Sequence, residues 1–164
     1  MTHPLFEKHR ATLDSALNAI STRGYWTPFP EMPSPKLYGE TAPDEGKRAF
    51  EAHLGKQFEL GQPGQTGWHG GEASPYGVAL DVSYPVCEPD ALIAAGLEAM
   101  TGWQAVGADG RTGICLEILD RLNKQSFELG HAVPMTTGQG WMMAFQAAAP
   151  HAQDRGLEAV TYAW

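Results

Sequence analysis

Cysteine is scarce in this chain of 164 residues: Cys87 and Cys115 are the only two. Two thiols cannot build a disulfide framework, and a cysteine-ligated metal site needs more of them. Basic residues are few as well. Eleven Lys and Arg stand against 19 Asp and Glu, a formal net charge of −8 with a pI near 5.1. Nucleic acid is recognised by clustered positive charge, so it is not an expected partner, and anionic membrane surfaces are disfavoured for the same reason. No apolar run reaches the roughly 18 residues of a membrane span. The opening stretch MTHPLFEKHR holds no signal-peptide core, so a cytoplasmic location is expected. What the chain does have is apolar material: 43% hydrophobic residues against 18% charged, with five Trp, six Phe and five Tyr. That composition supports a packed core and excludes wholesale disorder, and the length suits one domain.

Glycine and proline are unevenly distributed. Ten of the 19 glycines and nine of the 12 prolines lie between Gly24 and Pro89. Such a stretch cannot form long helices and reads as turns and short extended pieces. Two runs alternate as strands do: Lys56 to Leu60, and Val78 to Tyr84 with Val78, Leu80, Val82 and Tyr84 on one face, together a hairpin or edge pair. Helical periodicity flanks the region. Pro4 to Thr22 carries Phe6, Leu13, Leu17 and Ile20 on one face and stops before Gly24. A second helix opens at Glu88-Pro89-Asp90 with Ile93, Leu97 and Met100 as its buried stripe. Gly107 and Asp109 then mark a break and an N-cap, and a third helix buries Ile114, Ile118 and Leu122. Gly130 and Pro134 argue against a helix over 126–137. Trp141, Met142 and Phe145 predict a short helix ending before Pro150, and a last helix starts near Gln153. Leu157, Val160 and Trp164 are still in phase when the sequence stops. The expectation is an apolar face whose partner lies outside these residues, hence a truncated chain.

Candidate chemistry is sparse. Cys115 lies in the apolar stripe of the third helix, where a free thiol packs as a small hydrophobe. Cys87 precedes a helix whose dipole favours a thiolate, but Glu88 beside it opposes this and no histidine is near in sequence. The six histidines show no metalloprotease spacing. Trp68-His69-Gly70-Gly71-Glu72 joins an imidazole, an aromatic ring and a carboxylate on one loop, with two ligands where a metal needs more. Gly61, Gly64 and Gly67 lack the Lys-Ser/Thr ending of a phosphate loop. Gly138-Gln139-Gly140 lacks the third glycine of a dinucleotide fingerprint, Met143 standing there instead. No complete catalytic, cofactor-binding or metal-binding set is present, and none is assigned to these residues.

From Ser74 onward the chain resembles the N-terminal part of the aldehyde dehydrogenase superfamily. Ser74-Pro75-Tyr76-Gly77 looks like the family's Asn/Ser-Pro-x-x-Gly segment, one residue short. Trp103 and Arg111 keep the family's eight-residue spacing, and Ile114, Ile118 and Leu122 fall where its long helix is apolar. Thr137-Gly138-Gln139-Gly140 followed by Ala144 looks like its Thr-Gly-Lys-Pro motif, with Gln139 and Gly140 in place of Lys-Pro. Three further segments, Gly24 to Lys36, Thr66 to Glu72 and His151 to Gly156, resemble the phenylacetic-acid-degradation branch, the PaaN-type proteins.

The resemblance implies an α/β, aldehyde dehydrogenase-like fold, of which this N-terminal part is mostly α-helical with a short β element and long Gly/Pro-rich loops. Residues 1–164 would form a single incomplete domain: an N-terminal helix over 1–23, a Gly/Pro-rich segment over 24–88, and helices of the nucleotide-binding domain over 89–164. It implies an enzyme that uses NAD or NADP to oxidise a ring-opened, coenzyme A-linked semialdehyde to the acid. The family's cysteine nucleophile, asparagine and glutamate base lie beyond this segment, so the segment alone would be inactive and bind no cofactor. Its partners would be the remainder of the same polypeptide, an aldehyde or CoA-thioester substrate, and further copies in a homo-oligomer. Two other readings stand beside this one: a complete, non-catalytic helical binding module using the Trp68–Glu72 loop, and a small metal-dependent enzyme using His69, Glu72 and another histidine.

Overall fold

Pro4 opens the first helix, α1 (Pro4–Thr22), as sequence predicts: its missing N–H is no loss there, and the His3 imidazole accepts from Leu5 N at 3.3 Å. Arg23, in the left-handed region at φ 54°, ends it. The computed structural model describes residues 2–164. Along the chain follow α2 (Pro35–Tyr38), α3 (Ala42–Glu51), β1 (Gln65–Gly70), β2 (Ser83–Cys87), α4 (Pro89–Ala105), α5 (Gly107–Lys124), α6 (Ser126–Thr137), α7 (Trp141–Ala148) and α8 (Pro150–Ala163). Among the described residues no helix is long and apolar enough to cross a membrane.

One core lies where α1, α5 and α8 meet. Phe6, Leu13 and Ala16 pack with Leu116, Leu119 and Leu157, and Phe29 closes the cluster from the loop after α1. A second, aromatic cluster joins α2, α6 and α7: Phe127 and Phe145 have ring centroids 5.1 Å apart, and Tyr38 meets both edge-on. Two glycines set the helix spacing. A Cβ on Gly113 of α5 would collide with Phe6 N and stand 2.7 Å from Leu5 C, so the α1 backbone lies directly on it. A Cβ on Gly46 of α3 would strike the Phe127 Cβ of α6.

That close approach corrects the expected face of α5. Leu116 and Leu119 are buried with Gly110 and Gly113, while Ile118 and Leu122 face solvent. The bare glycine surface, which a hydropathy pattern scores as neutral, is the one α1 covers. On α4 the expected stripe is also reversed: Ile93, Leu97 and Met100 are 60%, 62% and 50% exposed, and no residue of the helix is buried. Among the described helices and strands only α5 makes more than marginal contact with it, and the apolar face stays exposed. The expected open face of α8 is largely covered instead, with Trp164 at its end still 44% exposed. Leu157 is in the core, Val160 packs against it, and the Trp164 ring stands 4.9 Å from Phe6. The helix begins at Pro150 rather than near Gln153.

The β element falls elsewhere than the alternation indicates. β1 and β2 pair antiparallel with Trp68 opposite Pro85 and His69 opposite Tyr84, and a bulge at Gln65/Gly67. Within Val78–Tyr84, Asp81 adopts φ 49° and breaks the extended run, so the strand starts only at Ser83. Leu80 and Val82 are buried as expected, whereas Val78 and Tyr84 are exposed. Lys56–Leu60 forms a single bridge, through Phe58 N to Ser83 O and Ser83 N to Lys56 O. Helix α3 lies inside the Gly/Pro-rich stretch; Pro43, Asp44 and Glu45 in its first turn are good N-terminal residues. Helix α6 runs unbroken through Gly130 and Pro134, because Gly130 seats the Phe145 ring and Pro134 is buried. Packing there outweighs propensity. Helix α5 starts at Gly107, so Asp109 sits in its first turn and is not its cap.

Candidate functional site

The motif residues that lie far apart in sequence meet in pairs. Ser74 is buried, its Oγ accepts from Tyr76 N at 3.2 Å, and Gly77 N donates to Ser74 O, forming a tight turn with Gly77 at φ 77°. The turn sits on Thr137-Gly138. The Tyr76 hydroxyl donates to Gly138 O at 3.3 Å, and a Cβ on Gly138 would lie 3.3 Å from Pro75 Cβ. Gly138, at φ 77°, also caps α6. The Gly24–Lys36 and His151–Gly156 segments are joined likewise: the Thr27 hydroxyl donates to Asp154 Oδ1, and His151 Nε2 lies 3.5 Å from Glu31 Oε1. Burial holds the Asp154 carboxyl above its usual range, although the Thr27 hydrogen bond acts the other way. The eight-residue Trp103–Arg111 spacing brings the Arg111 guanidinium within 3.5 Å of Trp103 O, at the C-terminal end of α4. These contacts are joints between segments.

The strongest charge cluster is one the sequence did not reveal. Glu117, nearly buried on α5, accepts from Lys8 Nζ at 2.6 Å and pairs with His9 Nε2 at 2.7 Å, while Arg121 Nε donates to its other oxygen at 2.9 Å. The hydrogen bonds from Lys8, His9 and Arg121 hold its carboxyl far below the usual carboxylate range. Lys8 is raised in return, chiefly by its hydrogen bond to Glu117. Asp120 lies 3.5 Å from Lys8 Nζ and is lowered mainly by its hydrogen bond from Lys124. His9, Glu117 and Asp120 offer three ligand atoms within 4.8 Å of one another. Lys8 already supplies the neutralising cation there, so the arrangement fits an ion-pair clamp between α1 and α5 better than a metal centre. Its α1 and α5 members are separated by more than 100 positions, and only the Glu117–Arg121 and Asp120–Lys124 pairs, each four residues apart on α5, have a sequence signature.

The residues singled out from sequence stay apart. His69 and Glu72 are exposed in and after β1, and among the described residues they belong to no group of three metal-ligating side chains. Cys87 ends β2 and Cys115 lies in α5; both are free and half-buried, and among the described residues no hydrogen bond reaches either thiol. Gly61 and Gly64 are in the loop before β1 and Gly67 is in the strand, far from a phosphate-cradling turn. Gly138-Gln139-Gly140 links two helices rather than a strand and a helix. A dinucleotide fold needs a parallel strand feeding a helix, and the one sheet among the described residues is a two-stranded antiparallel pair.

No protein-family model matches the chain, and no curated protein matches it. Among solved structures, a crystal structure of an NAD-dependent aldehyde dehydrogenase from Burkholderia multivorans is 59% identical and superposes with a TM-score of 0.95. The match covers the whole of this chain and 29% of that protein's length. The chain has the fold of an aldehyde dehydrogenase segment. The expected α/β, aldehyde dehydrogenase-like class therefore holds, with the helices and one short hairpin described above as this segment's share. The backbone that carries the joints at Ser74–Gly77, Trp103–Arg111 and Thr137–Gly138 lies within the superposed segment.

Proposed function

We propose that these 164 residues are a framework segment of an NAD- or NADP-dependent aldehyde dehydrogenase that oxidises an aldehyde to the acid. One observation carries the reading: 59% identity and a TM-score of 0.95 to an NAD-dependent aldehyde dehydrogenase without a gap in coverage of this chain. The segment's work on this reading is positional. It supplies the α1–α5–α8 core and the turn docked at Thr137–Gly138, while nucleophile, base and cofactor are held by the remainder of the same polypeptide. Two features support that division. Among the described residues no hydrogen bond reaches either thiol, and the one sheet is an antiparallel pair rather than the parallel sheet that holds a dinucleotide. The uncovered apolar face of α4, with Ile93, Leu97 and Met100, is the surface the rest of the polypeptide would bury.

The substrate reading is finer. It rests on the resemblance of the Gly24–Lys36, Thr66–Glu72 and His151–Gly156 segments to the phenylacetate-degrading branch, in which a ring-opened, CoA-linked semialdehyde would be oxidised in a homo-oligomeric cytoplasmic enzyme. The test is aldehyde-dependent NAD(P)H production, measured for residues 1–164 and for the native gene product. The native product is expected to turn over and to keep its rate after Cys87→Ser and Cys115→Ser, and residues 1–164 to show none. Turnover by residues 1–164 that is lost on replacing Cys87 would overturn the assignment.

A further inference from the structure

A cavity of about 330 Å³ lies between the C-terminal end of α3, the Phe58 and Leu80–Tyr84 segments, and α6. Its floor is apolar: Leu80 and Val82 are both buried. One wall is aromatic, with the Phe58 ring 6.0 Å from Tyr84 and 5.1 Å from the His53 imidazole. An apolar cavity of about 150 Å³ holds a benzene ring, so this one has room for a ring with a short side chain. Shape and lining match the general pattern of small-molecule sites, mostly apolar walls with few polar groups.

The polar groups select the ligand's charge. His53 and Glu128 are the ionisable side chains on the wall besides the Tyr84 phenol, and neither Lys nor Arg lines it. His53 Nε2 pairs with Glu128 Oε1 at 2.8 Å, and among the described residues no hydrogen bond engages Glu128 Oε2. The Thr136 hydroxyl is occupied, donating back to its own helix at Ala132 O. A free carboxylate oxygen beside apolar walls accepts from a donor and favours a cation. We propose that this cavity is a binding site for small arylalkyl ammonium compounds, with the ring on the Phe58–Tyr84 wall and the ammonium on Glu128 Oε2. The site stands on this cavity's own geometry and is independent of the dehydrogenase reading.

Three ligands that share a phenethyl group separate the terms: 2-phenylethylammonium, neutral 2-phenylethanol and anionic 3-phenylpropionate. Each is titrated into the full chain while the methyl resonances of Leu80, Val82 and Leu129 are followed by NMR. The ammonium is expected to bind saturably with a Kd on the order of 1 mM, as the efficiency of small ligands allows, and about tenfold more tightly than the other two. Glu128→Gln keeps the side chain's shape and the His53 contact, and is expected to remove that preference. Ala132→Leu fills the cavity from α6 and is expected to abolish binding of all three. The absence of saturable shifts at these methyls with the ammonium overturns the site. Equal binding of the alcohol or of the carboxylate, or an unchanged preference in Glu128→Gln, overturns the role of the Glu128 carboxylate.

Discussion

Replacing glycine by alanine should act in opposite directions at two helical positions of this chain. In an open helix interior the change stabilises by about 1 kcal/mol, because alanine loses less backbone entropy on folding. Gly96 on α4 is such a place, with nothing within 4 Å of the added Cβ. Gly113 on α5 is the reverse. Its Cβ would overlap Phe6 N and come 2.7 Å from Leu5 C and 2.8 Å from Phe6 Cα. These are backbone atoms of α1, which cannot rotate aside, so the helix axes must part by about 1 Å to restore van der Waals contact. Overpacking of that kind costs about 1–3 kcal/mol, which cancels the propensity gain of about 1 kcal/mol and leaves a net loss of up to about 2 kcal/mol. The parting acts one turn from Glu117 and so also lengthens its bonds to Lys8 and His9. Thermal unfolding followed by circular dichroism should show Gly96→Ala raising Tm by about 2–4 °C and Gly113→Ala failing to raise it, with a drop of up to about 8 °C. If Gly113→Ala were as stabilising as Gly96→Ala, the close α1–α5 approach would be wrong.

Leu13 is fully buried between α1, α5 and α8, so Leu13→Ala should cost about 3 kcal/mol in urea unfolding, with an unchanged m-value. Tyr76→Phe removes one exposed hydroxyl shared between Gly138 O and Gln139 O and should cost about 0.5 kcal/mol or less; a larger loss would mean that the turn carries more of the fold than its geometry shows. Acidification should destabilise the chain in two stages. The His131 imidazole is lowered by burial, so the unfolded state takes up protons more readily, and stability should begin to fall as pH drops below 6.5. Glu117 is lowered by its hydrogen bonds, so its contribution is complete above the ordinary value of 4.5 and is lost as pH falls below it. His131→Gln should flatten the first stage and leave the second, and Glu117→Gln should do the opposite; unchanged profiles would contradict both assignments.

Sequence alone determined the helices whose ends carry their own signals. Pro4 and Gly24 bound α1, Pro89 and Asp90 start α4, and Pro150 separates α7 from α8, because capping and proline chemistry act within one turn. The spaced motifs were equally legible, and the structure supplies their physics: Arg111 sits on the α4 C-terminus, and the Ser74–Gly77 turn docks on Gly138. Tertiary structure decided which faces are buried. Hydropathy selected Ile93, Leu97 and Met100 on α4 and Ile118 and Leu122 on α5, all exposed, because burial follows the neighbour and α1 settles on glycine. It also decided the strand limits, which depend on a single left-handed residue at Asp81, and the survival of α6 through Pro134. The Glu117 clamp and the His53–Glu128 pair could not be read from sequence for a common reason. Their members lie 108 and 75 positions apart, and nothing local marks a charge that only a neighbouring helix will neutralise.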